Sequence, residues 1–212
     1  SVLPKKIVTN EMLSQFLDTS DEWITTRTGV KSRHVISDEK LEDMAIEAAQ
    51  RALADAGISA ADLDYIICSN VVNEYITPQL SIIQGGIGAS CPCIDINCAC
   101  AGFIFALDLA ESHYKAGKVK NVLIVCAEEP SRMPDWADRR TCVLFGDGAG
   151  AAVLGPGDNI KSIKLSSSSA TDRLWQMRRL QPTPFITKEE EDVPLQMKGQ
   201  DVFKFAVKAA GK

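Results

Sequence analysis

The feature that most restricts the fold of this chain is a short apolar segment followed by a small-residue turn with a thiol and then a long apolar stretch. The β-branched and apolar residues from Cys93 to Asn97 predict a buried strand. The stretch from Phe103 to Lys115 has no helix breaker and predicts a largely buried helix that ends near Gly117. A buried strand joined directly to such a helix is typical of an α/β protein whose sheet is covered on its faces.

The rest of the chain continues this alternation. Leu41 to Ala56 is rich in alanine, has apolar residues at helical spacing, and predicts an amphipathic helix closed by Gly57. Further strands are predicted at Tyr65–Ser69, Asn121–Ala127, Thr141–Phe145 and the Gly/Ala-rich Gly146–Leu154. From Ser166 to Val193 the pattern dissolves, which predicts a long surface loop or cap, and another helix begins at Val202.

Cys100 lies at the predicted junction between the strand and the helix. The unpaired N–H groups and the positive dipole end of a helix favour a thiolate at such a position. The small residues Ala99, Ala101 and Gly102 allow a substrate or another backbone segment to come close to the sulfur. The pattern therefore predicts a nucleophilic cysteine, whereas the alternative is an inert cysteine that fills space in a core.

Composition excludes several classes of function. The chain has 212 residues, of which 23 are basic and 28 acidic, and it has no basic run, which makes nucleic acid an unexpected partner. No apolar run approaches the roughly 18 residues of a membrane span. Seven cysteines, several of them inside predicted core strands, indicate a reducing cytoplasm rather than a disulfide framework.

Six motifs occur in order along the chain: Thr19-Ser20-Asp21-Glu22-Trp23-Ile24, Arg27-Thr28-Gly29, Cys98-Ala99-Cys100-Ala101-Gly102-Phe103, Asp138-Arg139, Phe145-Gly146-Asp147-Gly148-Ala149-Gly150 and Met197-Lys198-Gly199-Gln200-Asp201-Val202-Phe203-Lys204. In this order and spacing the chain resembles the β-ketoacyl-acyl-carrier-protein synthase III family over essentially all of its length. Any one motif is weak evidence, but the ordered set is specific.

The resemblance implies a thiolase-like α/β fold, a layered α-β-α-β-α sandwich built from two similar halves. It implies an acyltransferase that starts fatty-acid synthesis by moving an acyl group, usually acetyl, from coenzyme A to a cysteine. That acyl group then condenses with malonyl-acyl-carrier protein, with loss of carbon dioxide. Acyl-CoA is a substrate, and no cofactor or metal is implied. The expected partners are acyl-CoA, malonyl-acyl-carrier protein and a second copy of the chain in a homodimer, without nucleic acid or membrane.

The resemblance also assigns site residues. Cys100 matches the acylated nucleophile, whose own N–H would form one arm of an oxyanion hole. Trp23 and Arg139 match positions that clasp the adenine of coenzyme A, and an indole and a guanidinium suit a purine. Further matches are Thr19 and Arg27 for nucleotide contacts and Met197, Gly199 and Phe203 for the wall of the pantetheine tunnel. Without the resemblance, Trp23 reads as a helix anchor and the arginines as solvated charges.

Several departures from the family pattern stand out. Where this chain has Cys98, the family has a small residue, usually alanine. The Cys98 side chain either tunes the active thiol or fills space. The family has an aromatic residue near Ile76, where a smaller side chain would alter the choice of acyl primer. No basic patch for the acidic carrier protein is evident beyond the weak candidate Arg178-Arg179.

The family's catalytic histidine and asparagine belong to its second half, and neither His34 nor His113 matches that position; both are predicted to lie at the surface. The chain is accordingly expected to be an N-terminal portion that cannot condense the acyl group by itself. The predicted division is a nucleophile half at 1–165, a cap or linker region at 166–198, and the first helix of the second half at 199–212.

Three alternatives remain open at this stage. One is another thiolase-fold condensing enzyme that acts on acyl-CoA, for instance in secondary metabolism. A second is a four-thiolate metal site, although zinc sites prefer wider spacings than those in the set Cys91, Cys93, Cys98 and Cys100. The third is an inactive fragment that only folds or dimerises.

Overall fold

The computed structural model describes residues 1–72, 79–179, 181, 183–185 and 191–210. Two compact units emerge from the contacts between these residues. Unit 1 consists of Ser1–Ile7, His34–Pro130 and Gly146–Ser166, and unit 2 of Val8–Arg33, Ser131–Phe145 and Ser167–Lys212. The division predicted from the sequence, at 1–165, 166–198 and 199–212, consists of consecutive ranges, whereas each unit combines several ranges that are in contact. The predicted division stays a prediction.

Unit 1 contains a four-stranded mixed sheet with the strand order β4-β3-β5-β6. Its strands are β3 (Tyr65–Ser69), β4 (Cys93–Ile96), β5 (Val122–Glu128) and β6 (Gly148–Leu154). Strand β3 is parallel to both β4 and β5, whereas β6 is antiparallel to β5. The carboxyl ends of β3, β4 and β5 therefore lie at one edge of the sheet, where the Cys100 turn follows β4.

Helices cover both faces of this sheet. Helix α3 (Leu41–Ala56) and helix α4 (Leu80–Ile87) share a core cluster with Ile66, Leu123 and Val125. Helix α5 (Gly102–Lys115) contributes Ala106 and Ala110 to a second cluster with the alternating residues Ile67, Val122 and Ile124. Alternate residues of a strand point to opposite faces, so these two clusters place α3 and α4 on one face and α5 on the other.

Unit 2 is built from short elements. Helices α1 (Asn10–Leu13) and α2 (Asp21–Thr28) surround a small core of Leu13, Ile24 and Val143. Its other elements are the antiparallel strands β7 (Leu174–Met177) and β8 (Val193–Met197) and helix α6 (Gly199–Ala210). The strands β1 (Lys6–Thr9) and β2 (Ser32–Val35) pair as a separate two-stranded sheet.

Most predicted elements are confirmed. Helix α3 spans the predicted Leu41–Ala56, and the left-handed Gly57 (φ 66°) ends it. The prediction of a strand at Thr141–Phe145 is wrong, because Cys142–Leu144 forms a 3₁₀ turn. The carbonyl of Val143 accepts a hydrogen bond from the Arg33 side chain (3.1 Å) instead of from a neighbouring strand. Strand β7 lies inside the loop predicted from Ser166 to Val193, and β8 begins at the last residue of that loop.

Glu128 at the end of β5 gives unit 1 a pH-dependent stability. Burial raises the pKa of this carboxyl group to about 7, although the N–H of Val71 donates to its Oε2 (2.9 Å). Between about pH 4.5 and 7 the folded state keeps a proton that the unfolded chain has lost, so ionisation lowers stability as the pH rises.

We expect Glu128→Gln to remove this dependence, because an amide oxygen still accepts the Val71 hydrogen bond but carries no charge. Above pH 7 the variant should be more stable by on the order of 3 kcal/mol, and near pH 4.5 the two proteins should be equal. Urea unfolding from pH 4.5 to 8 measures the difference. Parallel profiles for the two proteins would show that the carboxyl group ionises normally in the folded state.

Candidate active site

The Cys100 thiol lies in a tight turn between β4 and α5. A 3₁₀ turn covers Ala99–Ala101, and helix α5 begins at Gly102. The N–H of Ala101 donates to the carbonyl of Cys98 (3.2 Å), and the N–H of Ala99 donates to Asn97 Oδ1 (3.3 Å). Ala99 has a φ of 48°, in the left-handed region that a residue with a Cβ seldom adopts. The turn thus holds the chain in an unusual conformation directly before Cys100.

Gly102 allows helix α5 to start close to the sheet. A Cβ atom built on this glycine would lie 1.8 Å from Oγ and 2.7 Å from Cβ of Ser69, a buried residue at the end of β3. No side chain fits there. The small residues were predicted to permit a close approach to the Cys100 sulfur, which stays a prediction; the close approach seen at Gly102 is that of the Ser69 side chain.

Exposure distinguishes Cys100 from the other six cysteines, because it is the one exposed thiol among them. Cys68 and Cys142 are buried, and burial raises the pKa of both thiols, that of Cys142 to about 11. Burial likewise raises the pKa of Cys126 to about 11. These groups stay protonated near neutral pH, whereas Cys100 is an exposed residue.

The cysteines of the alternative metal site do not gather. In the described part of the chain, no three or more residues of His, Cys, Asp or Glu lie together as a set of metal ligands. Cys91 precedes β4 and Cys93 is its first residue, whereas Cys98 and Cys100 follow its end.

A second candidate site lies in unit 2, around the side chain of Trp23. Ser20 caps the start of helix α2, since its Oγ accepts from the N–H of Trp23 (3.1 Å), and the left-handed Gly29 caps the end. The guanidinium carbons of Arg27 and Arg139 lie 4.5 Å and 4.9 Å from the centre of the Trp23 ring. The structure therefore brings together three of the predicted nucleotide-binding side chains around one aromatic plane.

Asp18 and Thr19 adjoin this cluster. Arg139 donates to the carbonyl oxygen of Asp18 and lies 3.4 Å from its carboxylate. The Thr19 hydroxyl oxygen is buried and has no hydrogen-bond partner in the described part of the chain. A ligand that slides over the Trp23 ring would have to shift Arg139 from its present stacked position.

The remaining predicted site residues lie at the end of β8 and the start of α6. Met197 is the last residue of β8, Gly199 is the first of α6, and Phe203 is 67% exposed. Their role in a pantetheine tunnel stays a prediction. Ile76, predicted to affect the choice of primer, lies outside the described residues.

The two histidines make local contacts. Nδ1 of His34 is hydrogen-bonded to the Pro4 carbonyl, and the His113 ring lies edge-on against Tyr65 (5.3 Å between centroids). Both are half-buried rather than the surface residues that the sequence predicted.

No helix in the described ranges is long and apolar enough to cross a membrane.

Sequence reasoning missed Asn10 and Arg33, two buried polar residues next to α2. Each lies in a short segment where no motif or spacing distinguishes it from a surface residue. A polar residue whose contacts all lie far along the chain has no local signal.

Comparison with known proteins adds independent evidence. The family described as 3-oxoacyl-[acyl-carrier-protein (ACP)] synthase III matches residues 94–172. The beta-ketoacyl-[acyl-carrier-protein] synthase III of Clostridium perfringens is 44% identical over 212 residues, which cover 97% of this chain and 65% of the relative. The enzyme of the same name from Neisseria gonorrhoeae is 43% identical over 216 residues, 100% of this chain and 67% of the relative.

The chain thus spans 65% of the length of the Clostridium perfringens relative. The crystal structure of 3-oxoacyl-[acyl-carrier-protein] synthase III from Aquifex aeolicus superposes with a TM-score of 0.82 at 39% identity, covering 96% of this chain and 64% of that one. This agreement confirms the predicted thiolase-like α/β class. With an identity of 43% over two thirds of a relative, the chain belongs to the β-ketoacyl-[acyl-carrier-protein] synthase III family.

Proposed function

We propose that this chain carries the acylation centre of an enzyme that starts fatty-acid synthesis. An acyl group, acetyl in the first instance, passes from coenzyme A to Cys100 and then condenses with malonyl-acyl-carrier protein as carbon dioxide leaves. The observation that carries the proposal is the exposed thiol of Cys100 in the turn between β4 and α5, in a chain that belongs to this family.

In the first step the Cys100 thiolate attacks the thioester carbonyl carbon, and a tetrahedral oxyanion forms. Collapse of this intermediate breaks the bond to the coenzyme A sulfur, which leaves as a thiolate and takes up a proton from solvent, and the acyl group stays on the enzyme. An N–H group in the turn would stabilise the oxyanion, and that of Cys100 itself is the candidate. The nearby Cys98, predicted to tune the active thiol or to fill space, is half-buried and therefore less accessible to a thioester.

The nucleotide end of coenzyme A is assigned to the cluster around Trp23. The indole offers a planar face to adenine, Arg139 can cover the other face of the base, and Arg27 can pair with a phosphate. Thr19 is a further candidate contact. The wall of the pantetheine tunnel is assigned to Met197, Gly199 and Phe203 on the strength of the family motif that they match.

A homodimer is part of the proposal. Strand β4 is at the edge of the sheet in the described part of the chain, and the side chains of Ile94 in this strand and of Phe103 and Ile104 in α5 are 40–45% exposed. Exposed apolar side chains of this kind are typical of protein interfaces. We also propose that the enzyme is cytoplasmic and needs no cofactor. Arg178 and Arg179, which directly follow β7, stay the candidates for docking the carrier protein.

The proposal is tested by incubating the full-length gene product with acetyl-CoA and measuring the intact mass. We expect one acetyl group per chain and the release of one coenzyme A thiol. A protein that releases no thiol and gains no mass would contradict the proposed function.

We also expect Arg139→Ala to raise the KM for acetyl-CoA by about 10-fold while kcat changes little. The stacked guanidinium binds the nucleotide equally in the ground and transition states, and loss of such binding appears in KM. Coenzyme A should also quench the fluorescence of Trp23 in the unmodified protein.

Arg140→Ala is the matched control, because this neighbouring arginine is exposed and paired with Asp138 (2.8 Å). Its KM should equal that of the unmodified protein. Equal KM values for all three proteins would return Trp23 and Arg139 to the roles of a helix anchor and a solvated charge.

A further inference from the structure

Two buried polar side chains connect the segments that carry the nucleotide-binding cluster. Asn10 is fully buried and Arg33 is 5% exposed. The Nη2 group of Arg33 donates to Asn10 Oδ1 (2.8 Å) and to the Val143 carbonyl (3.1 Å), while Nη1 donates to the Val8 carbonyl (3.1 Å). One guanidinium therefore joins the segment of Val8 and Asn10 to the segment of Val143 within unit 2.

Asn10 extends this connection to both ends of helix α2. Its Nδ2 group donates to Asp21 Oδ1 (2.8 Å) at the first residue of the helix and to the Val30 carbonyl (2.8 Å) just beyond its last residue. Helix α2 carries Trp23 and Arg27. The amide of Asn10 therefore fixes the position of the helix that presents the aromatic ring.

The Val143 carbonyl belongs to the hydrogen-bonded segment that carries Arg139. The carbonyl of Asp138 accepts from the N–H groups of Thr141 and Cys142 (3.1 Å each), so residues 138–144 form a continuous turn. Through Val143, Arg33 holds this turn, and through Asn10 it holds α2. The pair thus connects helix α2, which carries Trp23, with the turn that carries Arg139.

Stability alone is a weak reason for this arrangement. The acceptors of Arg33 are two backbone carbonyls and a neutral amide, and burial lowers the pKa of its guanidinium. A buried charge with neutral partners is generally less stabilising than well-packed apolar side chains of similar volume. What the guanidinium adds is geometric precision, because its donors have fixed directions in one plane.

We propose that Asn10 and Arg33 are positioning residues for the nucleotide end of the acyl-CoA site, because their hydrogen bonds fix α2 and the 138–144 turn on either side of the bound base. This inference rests on the proposed function. Neither residue touches the ligand in this scheme. They act by holding in place the backbone segments that carry Trp23, Arg27 and Arg139, so that only the Arg139 side chain has to move when the base binds.

The test exchanges the roles of Asn10 and Asp21. Asn10→Asp keeps the acceptor for Arg33 but replaces the donor to Asp21 with a second carboxylate, so α2 is repelled. Adding Asp21→Asn restores a complementary pair with the donor on the other side. We expect the KM for acetyl-CoA to rise about 10-fold in the single variant and to recover at least threefold in the double variant, with kcat nearly unchanged.

A substrate without the nucleotide separates positioning from general damage. Acetyl-pantetheine reaches Cys100 without using the Trp23 cluster, so its kcat/KM should be the same in the unmodified protein and in Asn10→Asp. Arg33→Lys, which retains the charge but loses the planar fork, should show the same selective loss toward acetyl-CoA. Asn121→Asp, which removes a side-chain donor to the Asp62 carbonyl in unit 1 (2.9 Å), is the control that should affect neither substrate.

Equal losses for both thioesters would overturn the inference and leave Asn10 and Arg33 as purely structural residues, as would no rescue in the double variant. An unmodified protein that accepts acyl groups from neither thioester would instead contradict the proposed function, and the inference would fall with it. Melting temperatures of all variants identify any loss that comes from unfolding.

Discussion

Replacing Cys100 with alanine is expected to abolish acyl-enzyme formation from acetyl-CoA. The covalent intermediate needs a sulfur nucleophile that a thioester can reach, and Cys100 is the exposed cysteine among seven, in the turn that links β4 to α5. Alanine suits the turn, since it occupies the positions on both sides of Cys100. The stability of the variant should therefore be unchanged, and intact mass measured after incubation with acetyl-CoA reports the loss.

Cys98→Ala is the matched control, because it removes a thiol from the same turn and leaves Cys100 in place. We expect it to keep most of the labelling. Peptide mass spectrometry on the unmodified protein locates the acyl group independently. An acyl group on Cys98, or full labelling of Cys100→Ala, would show that the nucleophile is misassigned.

The sequence was sufficient to predict elements whose causes are local. Helix α3 has apolar residues at helical spacing and a glycine at its end, and both signals lie within Leu41–Gly57. Strand β3 was likewise predicted over Tyr65–Ser69 because a short β-branched run is visible without knowledge of its neighbours. The position of Cys100 between β4 and α5 follows from two such local patterns.

What the sequence could not provide depends on contacts between distant segments. Residues Cys142–Leu144 are apolar enough for a strand, yet the Val143 carbonyl bonds to Arg33, 110 positions earlier. Strand β7 pairs with β8 beyond a segment whose prolines and acidic residues predict only a loop. Trp23 was predicted as a binding residue from a motif. The sequence could not show that the guanidinium groups of both Arg27 and Arg139 lie over its ring, because this depends on the folded structure.

The close approach of Gly102 to Ser69 leads to the second large effect. We expect Gly102→Ala to destabilise the protein by about 1–3 kcal/mol, because the new Cβ would overlap a buried strand residue that cannot move without shifting β3. The start of α5 must then move outward. Acylation of Cys100, two residues earlier, should slow as well, and urea unfolding together with the rate of labelling by acetyl-CoA measures both effects.

A graded set of second substitutions tests the cause. Ser69→Ala removes the oxygen at 1.8 Å but leaves Cβ at 2.7 Å, so it should rescue Gly102→Ala only in part; Ser69→Gly leaves its nearest atom, Cα, at 4.0 Å and should rescue most of the loss. The coupling energies of the two double-mutant cycles are compared, because each cycle subtracts the effect that the change at Ser69 has by itself, including that of a glycine in a strand.

Gly85→Ala in α4 is the control, because its Cβ would meet no atom within 4 Å, and we expect it to be neutral or stabilising by about 0.5–1 kcal/mol. If Gly102→Ala were equally neutral, or if neither change at Ser69 restored stability and labelling, the contact between the start of α5 and β3 would not be what holds the Cys100 turn in place.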